Sequence, residues 1–311
     1  MENLSALKGL KVLDFSHLLA GPFATQILGD YGATIYKIER AEVGDDYRRW
    51  HFFNKKVAGT EAATFLSWNR NKRSLALDMK SPKGKEIIYK MVKDCDVVIQ
   101  NFRPGVMDKL GFSYEDLKKI NPKIIYCNGS GYGRTGPYAQ RPGQDLLIQG
   151  MSGLTTNTGR AGGPPVAGGV GQADQLGSYN MVIAILSAIY YRDKNGKGQE
   201  IQVDLLSCLL QHELQEFVAV LNLNQDFERP ASGVGHPGAA APFGIYETKD
   251  GYISIAIATL ELLSEVLEDK TISSNYKDDG PRGAFGTQIQ FTKRDEIFDH
   301  VEKNTKKFTS A

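Results

Sequence analysis

The chain has 311 residues, 41% of them hydrophobic and 10% aromatic, which is enough apolar material for one large domain with a smaller one beside it. Lys and Arg number 37 against 36 Asp and Glu, for a formal charge of +1, so no global field would hold the chain on nucleic acid or an anionic membrane. An anionic ligand must therefore meet local cations.

Cys95, Cys127 and Cys208 stand apart among apolar neighbours without a CxxC spacing, which predicts reduced, buried thiols. His17, His51, His212, His236 and His300 form no HxxxH or HxxEH pattern, so no metal site is expected. Residues 1–8 lack the basic start and apolar run of a signal peptide. The longest apolar stretch, Met181 to Tyr191, is about half of the roughly 20 residues that a membrane span needs. A cytoplasmic or organelle-matrix protein is the expectation.

In chain order, Lys11 to Phe15 reads as a strand. Pro22 suits the first turn of a helix reaching about Tyr31, and Gly32 ends it before a second strand, Thr34 to Glu39. The βαβ pattern repeats with a strand over Ser74 to Met79, a helix from Ser81-Pro82 to about Asp94 and a strand over Asp96 to Gln100. Ser113-Tyr-Glu-Asp116 has capping-box spacing with Asp in the Glu place, predicting a helix to Ile120 and then a strand over Lys123 to Cys127. This alternation predicts a parallel, doubly wound, Rossmann-like sheet with helices on both faces.

Between Gly129 and Gly177 lie 14 of the 33 glycines, with Pro137, Pro142, Pro164 and Pro165, which predicts a long irregular, functional loop. A helix is expected from Asp174 to about Tyr191, a turn at Asn195-Gly196, a strand over Glu200 to Asp204 and one amphipathic helix over Leu205 to Leu223. The Gly/Pro/Ala-rich run Arg229 to Gly244 and the β-rich Gly251 to Ala256 open a second unit. The expected division is a large α/β domain over 1–225 and a small α+β domain over 226–311.

Several residues suit chemistry. The first βα turn, Ser16 to Pro22, lacks GxGxxG but brings backbone N–H groups to a helix start, where a phosphate or a plain structural turn both fit. Arg40, Lys80 and Arg103 each follow a strand end, on the rim where open α/β sheets bind ligands, and would suit a polyphosphate; singly, each reads more often as a solvated surface cation. Phe102 beside Arg103 offers a ring and a guanidinium plane for a purine base. Asp174, at a helix start after the loop Gly162 to Gly171, reads either as an N-cap or as a carboxylate nucleophile that is ionised at pH 7 and needs no base. Asp145 suits a helix cap, and the Gln144 amide could donate to an oxyanion.

Leu7 to Phe15, Ala20-Gly-Pro22, Leu28 to Ala33, Lys37-Ile-Glu-Arg40, Asn69 to Ser74, Leu77 to Lys80, Asn101 to Gly105 and Gly131 to Pro137 resemble, in order and at similar spacing, the motifs of the family III CoA-transferases. That resemblance implies a large α/β domain and a small domain in two chains threaded through each other as interlocked rings, a homodimer. It also implies coenzyme A as co-substrate and partners in an acyl-CoA and a carboxylic acid, with neither nucleic acid nor membrane among them.

By the same likeness Asp174, in Gln172-Ala-Asp174, aligns with the catalytic aspartate, with Gln144 assisting at the oxyanions. Leu19, Ala20, Arg40, Leu77, Asp78, Met79, Lys80, Asn101, Phe102, Arg103 and Lys109 align with CoA-contacting positions, and Gly233, Gly235 and His236 with a glycine-containing substrate loop that covers the active site. The reaction implied is CoA transfer between acids through aspartyl anhydride and aspartyl-CoA thioester intermediates.

Two departures bear on specificity. Leu19 stands where the oxalate-cycle transferases carry glutamine, and Gln144 where the α-methylacyl-CoA racemases carry a histidine. A racemase, a nicotinamide-dependent oxidoreductase and a non-catalytic CoA-binding protein remain the alternatives. Family members run on beyond the point matching Ala311, so the small domain is expected to be incomplete here.

Overall fold

A computed structural model of the chain describes residues 5–57, 59, 61–231, 234–277 and 286–310. Its contacts divide it into two compact units, Met1–Gln149 with Val170–His212, and Gly150–Gly169 with Glu213–Ala311.

In chain order the first unit runs β1 (Lys11–Asp14), α1 (Ala20–Asp30), β2 (Thr34–Glu39), α2 (Ala63–Asn69), β3 (Lys72–Ala76), α3 (Pro82–Asp94), β4 (Val97–Gln100), α4 (Val106–Leu110), α5 (Tyr114–Ile120) and β5 (Ile125–Ser130). After α6 (Asp145–Ser152), which leads into the second unit's α7 (Leu154–Asn157), the first unit closes with α8 (Gln172–Asn195), β6 (Gln199–Asp204) and α9 (Leu205–His212). Six parallel strands lie in the order β3-β2-β1-β4-β5-β6, the doubly wound pattern that the alternation predicts. Val97-Val-Ile-Gln100 is buried throughout, as a strand covered on both faces must be. Leu13, Phe15, Ile38, Val98, Phe112 and Tyr126 form the core on one face.

Local signals set several element ends. The Ser81 hydroxyl accepts the Gly84 N–H at 3.0 Å to start α3, and Ser113 Oγ accepts the Asp116 N–H at 3.2 Å to start α5. The Asp116 carboxylate takes its bond from the Ser113 hydroxyl, at 2.6 Å.

Two expectations fail. The stretch 129–177 is not irregular throughout: α6 buries Ile148 and Gln149, and α7 follows Gly153, whose φ of 97° turns the chain between them. The helix over 205–223 is two helices, because Glu213 leaves helical geometry (ψ 19°) between α9 and α10 (Leu214–Leu223).

In the second unit, α10 leads to an antiparallel sheet of β7 (Val234–Gly235), β8 (Gly244–Glu247) and β9 (Tyr252–Ile255), followed by α11 (Leu260–Val266), α12 (Thr271–Asn275), α13 (Gln288–Thr292) and α14 (Arg294–Thr305). Tyr246, Leu260, Ile297, Phe298 and Val301 form its core.

Buried charge is concentrated beneath the β1–α1 turn. Asp14, Lys37 and Asp45 are fully buried; Lys72 Nζ lies 3.0 Å from Asp14 Oδ2, and Lys37 Nζ lies 2.9 Å from Asp45 Oδ2 while donating to the Ser16 carbonyl at 2.8 Å. Asp14 also accepts the Ser16 N–H at 2.9 Å and the Thr25 hydroxyl at 2.6 Å. Burial pushes the Asp14 carboxyl up, but Lys72, Lys37 and the two hydroxyls outweigh it and hold it well below the carboxylate range. Burial pulls Lys72 down to about 8 against the pull of Asp14. Removing one member strands the other's charge, which typically costs about 3–5 kcal/mol. Lys37→Met should lower the urea unfolding free energy by about that amount, and adding Asp45→Leu should restore much of it. A loss under about 1 kcal/mol for the single variant would show that the pair carries no structural weight.

Candidate active site

The turn from β1 into α1 is shaped by close approach. A Cβ on Gly21 would lie 2.2 Å from Ser16 Cβ, so only glycine lets the helix start fold back onto the turn. Asn101 clamps the same turn from the end of β4: its Oδ1 accepts the His17 N–H and its Nδ2 donates to the His17 carbonyl, both at 2.8 Å. Gln100 accepts the Phe102 N–H at 2.7 Å and donates to Asn128 at 2.6 Å, which fixes the backbone that carries Phe102 and Arg103.

These turns enclose a cavity of about 300 Å³ at the carboxyl end of the sheet, lined by His17, Leu18, Arg40, Asp46, Asn101, Phe102 and Arg103. The structure thus brings together Arg40, Asn101, Phe102 and Arg103 of the residues singled out in the sequence. Arg40 meets Asp46 at 2.8 Å, so part of its charge is already answered, while Arg103 is exposed. Phe102 packs edge-on to His17 with ring centroids 5.1 Å apart. Burial and the nearby Lys37 lower the His17 pKa, favouring the neutral ring beside this cavity.

The other named positions lie elsewhere in the same unit. Leu77 is buried in the core with Met79 packed against it, and Asp78 Oδ1 accepts the Lys80 N–H at 2.9 Å. Lys80 and Lys109 are exposed, Lys109 on α4. Leu19 packs against Tyr47 and Phe65, and the buried Ala20 offers its carbonyl to the Ser178 hydroxyl at 2.7 Å.

That last bond ties α1 to α8, whose third residue is Asp174. Gly171, before the helix, supplies no side-chain cap. The cap comes instead from Asp145, at the start of α6: its Oδ1 accepts the Asp174 N–H at 3.0 Å and its Oδ2 accepts from Gln149 Nε2 at 2.5 Å. The chain reaches this position because Gly131 and Gly143 touch backbone to backbone; a Cβ on Gly131 would lie 2.4 Å from Gly143 Cα. Gln144 is exposed, one residue before Asp145.

Burial, with Asp145 adding a like charge, raises the Asp174 carboxyl to about 7. The expectation of a side chain already ionised at neutral pH is therefore corrected: near pH 7 about half of it carries a proton. Burial also pushes Tyr47 up to about 12, with Asp174, Asp45 and Asp145 adding to the effect. Of the groups that act on or beside Asp174, sequence reasoning misses Tyr47 and reads Asp145, next to Gln144, as a cap of its own helix and not of α8.

In the second unit, His236 is held at both nitrogens, Nδ1 accepting the Gly238 N–H at 3.1 Å and Nε2 lying 3.3 Å from Glu216 Oε1. Gly235 sits where a Cβ would meet Phe298 at 2.6 Å, and Gly233 falls outside the described residues. Among the described residues no group of three His, Cys, Asp or Glu could hold a metal, and no helix is long and apolar enough to cross a membrane.

A doubly wound parallel sheet whose rim carries Arg40 and Arg103, with a carboxyl of raised pKa at a helix start, defines an α/β protein with a cavity at the carboxyl ends of its strands. The particular family follows from comparison: residues 7–310 match CoA-transferase family III, and the chain belongs to it. It is 41% identical over 282 residues to the succinyl-CoA:glutarate CoA-transferase of Homo sapiens, covering 89% of this chain and 63% of that protein. It is also 41% identical over 247 residues to the acetyl-CoA:oxalate CoA-transferase of Acetobacter aceti, covering 78% and 61%. The chain thus spans less than two thirds of the length of these curated relatives. The crystal structure of a CaiB/BaiF family protein from Brucella suis superposes with a TM-score of 0.84 at 36% identity, over 97% of this chain and 79% of that one.

The raised Asp174 pKa has a consequence for stability. Below the unfolded value of 3.8 the carboxyl is neutral in both states and costs nothing; as pH rises from there through about 7 the folded state must hold a disfavoured charge, and stability is lost. Asp174→Asn, neutral throughout, should therefore be more stable than wild type at pH 8, by about 1–3 kcal/mol more than at pH 4. Parallel urea titrations at the two pH values measure this. An equal difference at both would show that Asp174 is not perturbed.

Proposed function

We propose that the chain carries the CoA-binding and nucleophile-bearing part of an enzyme that moves CoA from an acyl-CoA to a carboxylic acid. One observation carries the reading: Asp174 stands at the start of α8 with a raised pKa, a carboxylate that is a stronger nucleophile when ionised than a solvated one, in a chain of CoA-transferase family III. The names of its relatives support the transfer chemistry.

In the proposed reaction, ionised Asp174 attacks the thioester carbonyl carbon and the C–S bond breaks, giving a mixed anhydride and CoA thiolate. The thiolate attacks the aspartyl carbonyl, expelling the donor acid as carboxylate and leaving aspartyl-CoA. The acceptor carboxylate then attacks the aspartyl carbonyl of this thioester and the C–S bond breaks, leaving a second mixed anhydride and free CoA thiolate; the thiolate attacks the acceptor's acyl carbon, forming the new acyl-CoA and returning Asp174 as carboxylate. No electron leaves or enters. Gln144, as an amide, can stabilise oxyanions without trading protons, which favours transfer over racemisation.

Arg40, Arg103, Lys80 and Lys109 are the proposed phosphate-side cations, with Phe102 toward the base and Leu19, Ala20, Leu77, Asp78, Met79 and Asn101 shaping the rest. Gly233, Gly235 and His236 are the proposed substrate loop. Short or medium dicarboxylates or hydroxy acids are the proposed acids, supported by relatives named for glutarate and L-malate. An interlocked homodimer in the cytoplasm or an organelle matrix completes the proposal; the exposed apolar stripe Tyr179, Ile183, Leu186 and Tyr190 along α8 supports a partner chain.

Asp174→Ala should abolish exchange of CoA between succinyl-CoA and a panel of acids, followed by mass spectrometry of new thioesters, while CoA still binds. Hydroxylamine added after acyl-CoA should label the peptide that contains Asp174 in the wild type alone. Turnover retained in the Ala variant would remove Asp174 from the mechanism. Arg103→Ala and Lys80→Ala should each weaken CoA binding, more at low salt than at high salt, in calorimetric titrations at two ionic strengths. Unchanged low-salt affinity would return both to solvated surface cations.

A further inference from the structure

We infer that Asp145 is the positioning residue of the proposed nucleophile: it holds the first turn of α8 through the Asp174 amide and sets a like charge beside a carboxyl that is already partly buried. The inference rests on the reading of Asp174 given above, and it stands on geometry. Asp174 is the third residue of α8, so its N–H has no partner inside the helix, and Gly171 has no side chain to offer one. Asp145 fills that gap from 29 residues away in sequence, with Oδ1 on the Asp174 N–H at 3.0 Å.

Its own orientation is fixed in turn. The Oδ2 atom is held by Nε2 of the buried Gln149 at 2.5 Å, one turn along α6. A Cβ on Gly171 would sit 3.7 Å from Asp145 Oδ1 and 3.8 Å from Asp174 Cβ, so both aspartates approach the same glycine. A carboxylate tied this closely cannot turn its charge away from its neighbour.

The surrounding elements offer Asp174 little to offset that charge. α1, packed against α8, has its one ionisable residue, Asp30, at its far end. The segment before α2 brings Tyr47, whose pKa is itself raised, with Asp45 behind it on Lys37. Ahead of α9 stands Asp204, engaged with the Ser207 N–H at 2.8 Å. Lys72 and Lys37, beneath the first turn of α1, are engaged with Asp14 at 3.0 Å and Asp45 at 2.9 Å, which leaves Asp145 as the charged group that acts on Asp174 beside the effect of burial.

The two roles separate experimentally. Asp145→Asn keeps an oxygen for the Asp174 N–H and loses the charge, with Gln149 turning its amide over to meet the new Nδ2. The Asp174 carboxyl, identified by ¹³C NMR of aspartate-labelled protein with Asp174→Asn as the assignment control, should titrate near 7 in the wild type. In Asp145→Asn its midpoint should fall by about one pH unit, and the acid limb of kcat/KM should move with it. Asp145→Ser, an uncharged acceptor of another shape, should show the same downward shift, and Asp145→Glu should keep the wild-type midpoint. Asp145→Ala should lower kcat about 10- to 100-fold with KM for acyl-CoA little changed, because the turn loses its tie.

A midpoint and acid limb unmoved in both Asp145→Asn and Asp145→Ser would overturn the inference. A wild type that exchanges no CoA would instead remove the transfer reading, while the NMR midpoints would still decide whether Asp145 sets the basicity of Asp174.

Discussion

The arrangement of the first unit depends on burying two lysines against two aspartates beneath the β1–α1 turn. Lys72 reaches across from β3 to Asp14 on β1, and Lys37 from β2 to Asp45, so three neighbouring strands and the segment leading to Tyr47 are tied at one point. Such pairs add little net stability over an apolar core of the same shape, yet each is costly to mismatch. Their consequence is geometric. With the Ser16 carbonyl on Lys37 and the Ser16 N–H on Asp14, the turn from His17 to Leu19 has one conformation available, and the cavity between His17, Arg40 and Phe102 inherits its shape.

A second constraint acts at α8. Its first turn lacks a local cap and is anchored on one side by the Ser178 hydroxyl to α1 and on the other by Asp145 of α6. This tie stabilises the helix start and at the same time destabilises the ionised form of Asp174. A chain selected for stability alone would place a neutral acceptor such as Ser or Asn at Asp145. The like charge makes sense where the carboxylate has to be basic, which is the usual pattern at sites that conflict with local stability.

Much of the fold was legible because the strand and helix periods alternate cleanly up to β5 and Ser81 and Ser113 announce their helices. The stretch 129–177 is less legible because glycine density reads as irregular backbone, whereas several of those glycines serve close contacts: Gly131 on Gly143, Gly129 on Met181 and Gly177 on Leu205. The break at Glu213 was hidden because apolar periodicity continues through it. Within the recognisable motifs, Asp14, Lys37 and Lys72 hold the buried ion pairs and do not line the cavity, whereas Arg40, at the end of Lys37-Ile-Glu-Arg40, does. The Asp145–Asp174 tie was illegible, since it joins residues 29 apart with no period between them.

The distribution of charge also bears on the order of steps in the proposed reaction. Arg103 is exposed on the rim, where a bound phosphate would remain partly hydrated, while the two aspartates lie partly buried where a charge is weakly screened. A thioester is neutral and can approach ionised Asp174 without repulsion. An acceptor carboxylate cannot, because it would meet the charges of Asp174 and Asp145 together. Once Asp174 is converted to its CoA thioester it is neutral, and one of the two opposing charges is gone. In the proposed reaction the electrostatics of the pair thus favour an acceptor that attacks once Asp174 has become the neutral thioester, over direct attack on a bound acyl-CoA beside ionised Asp174.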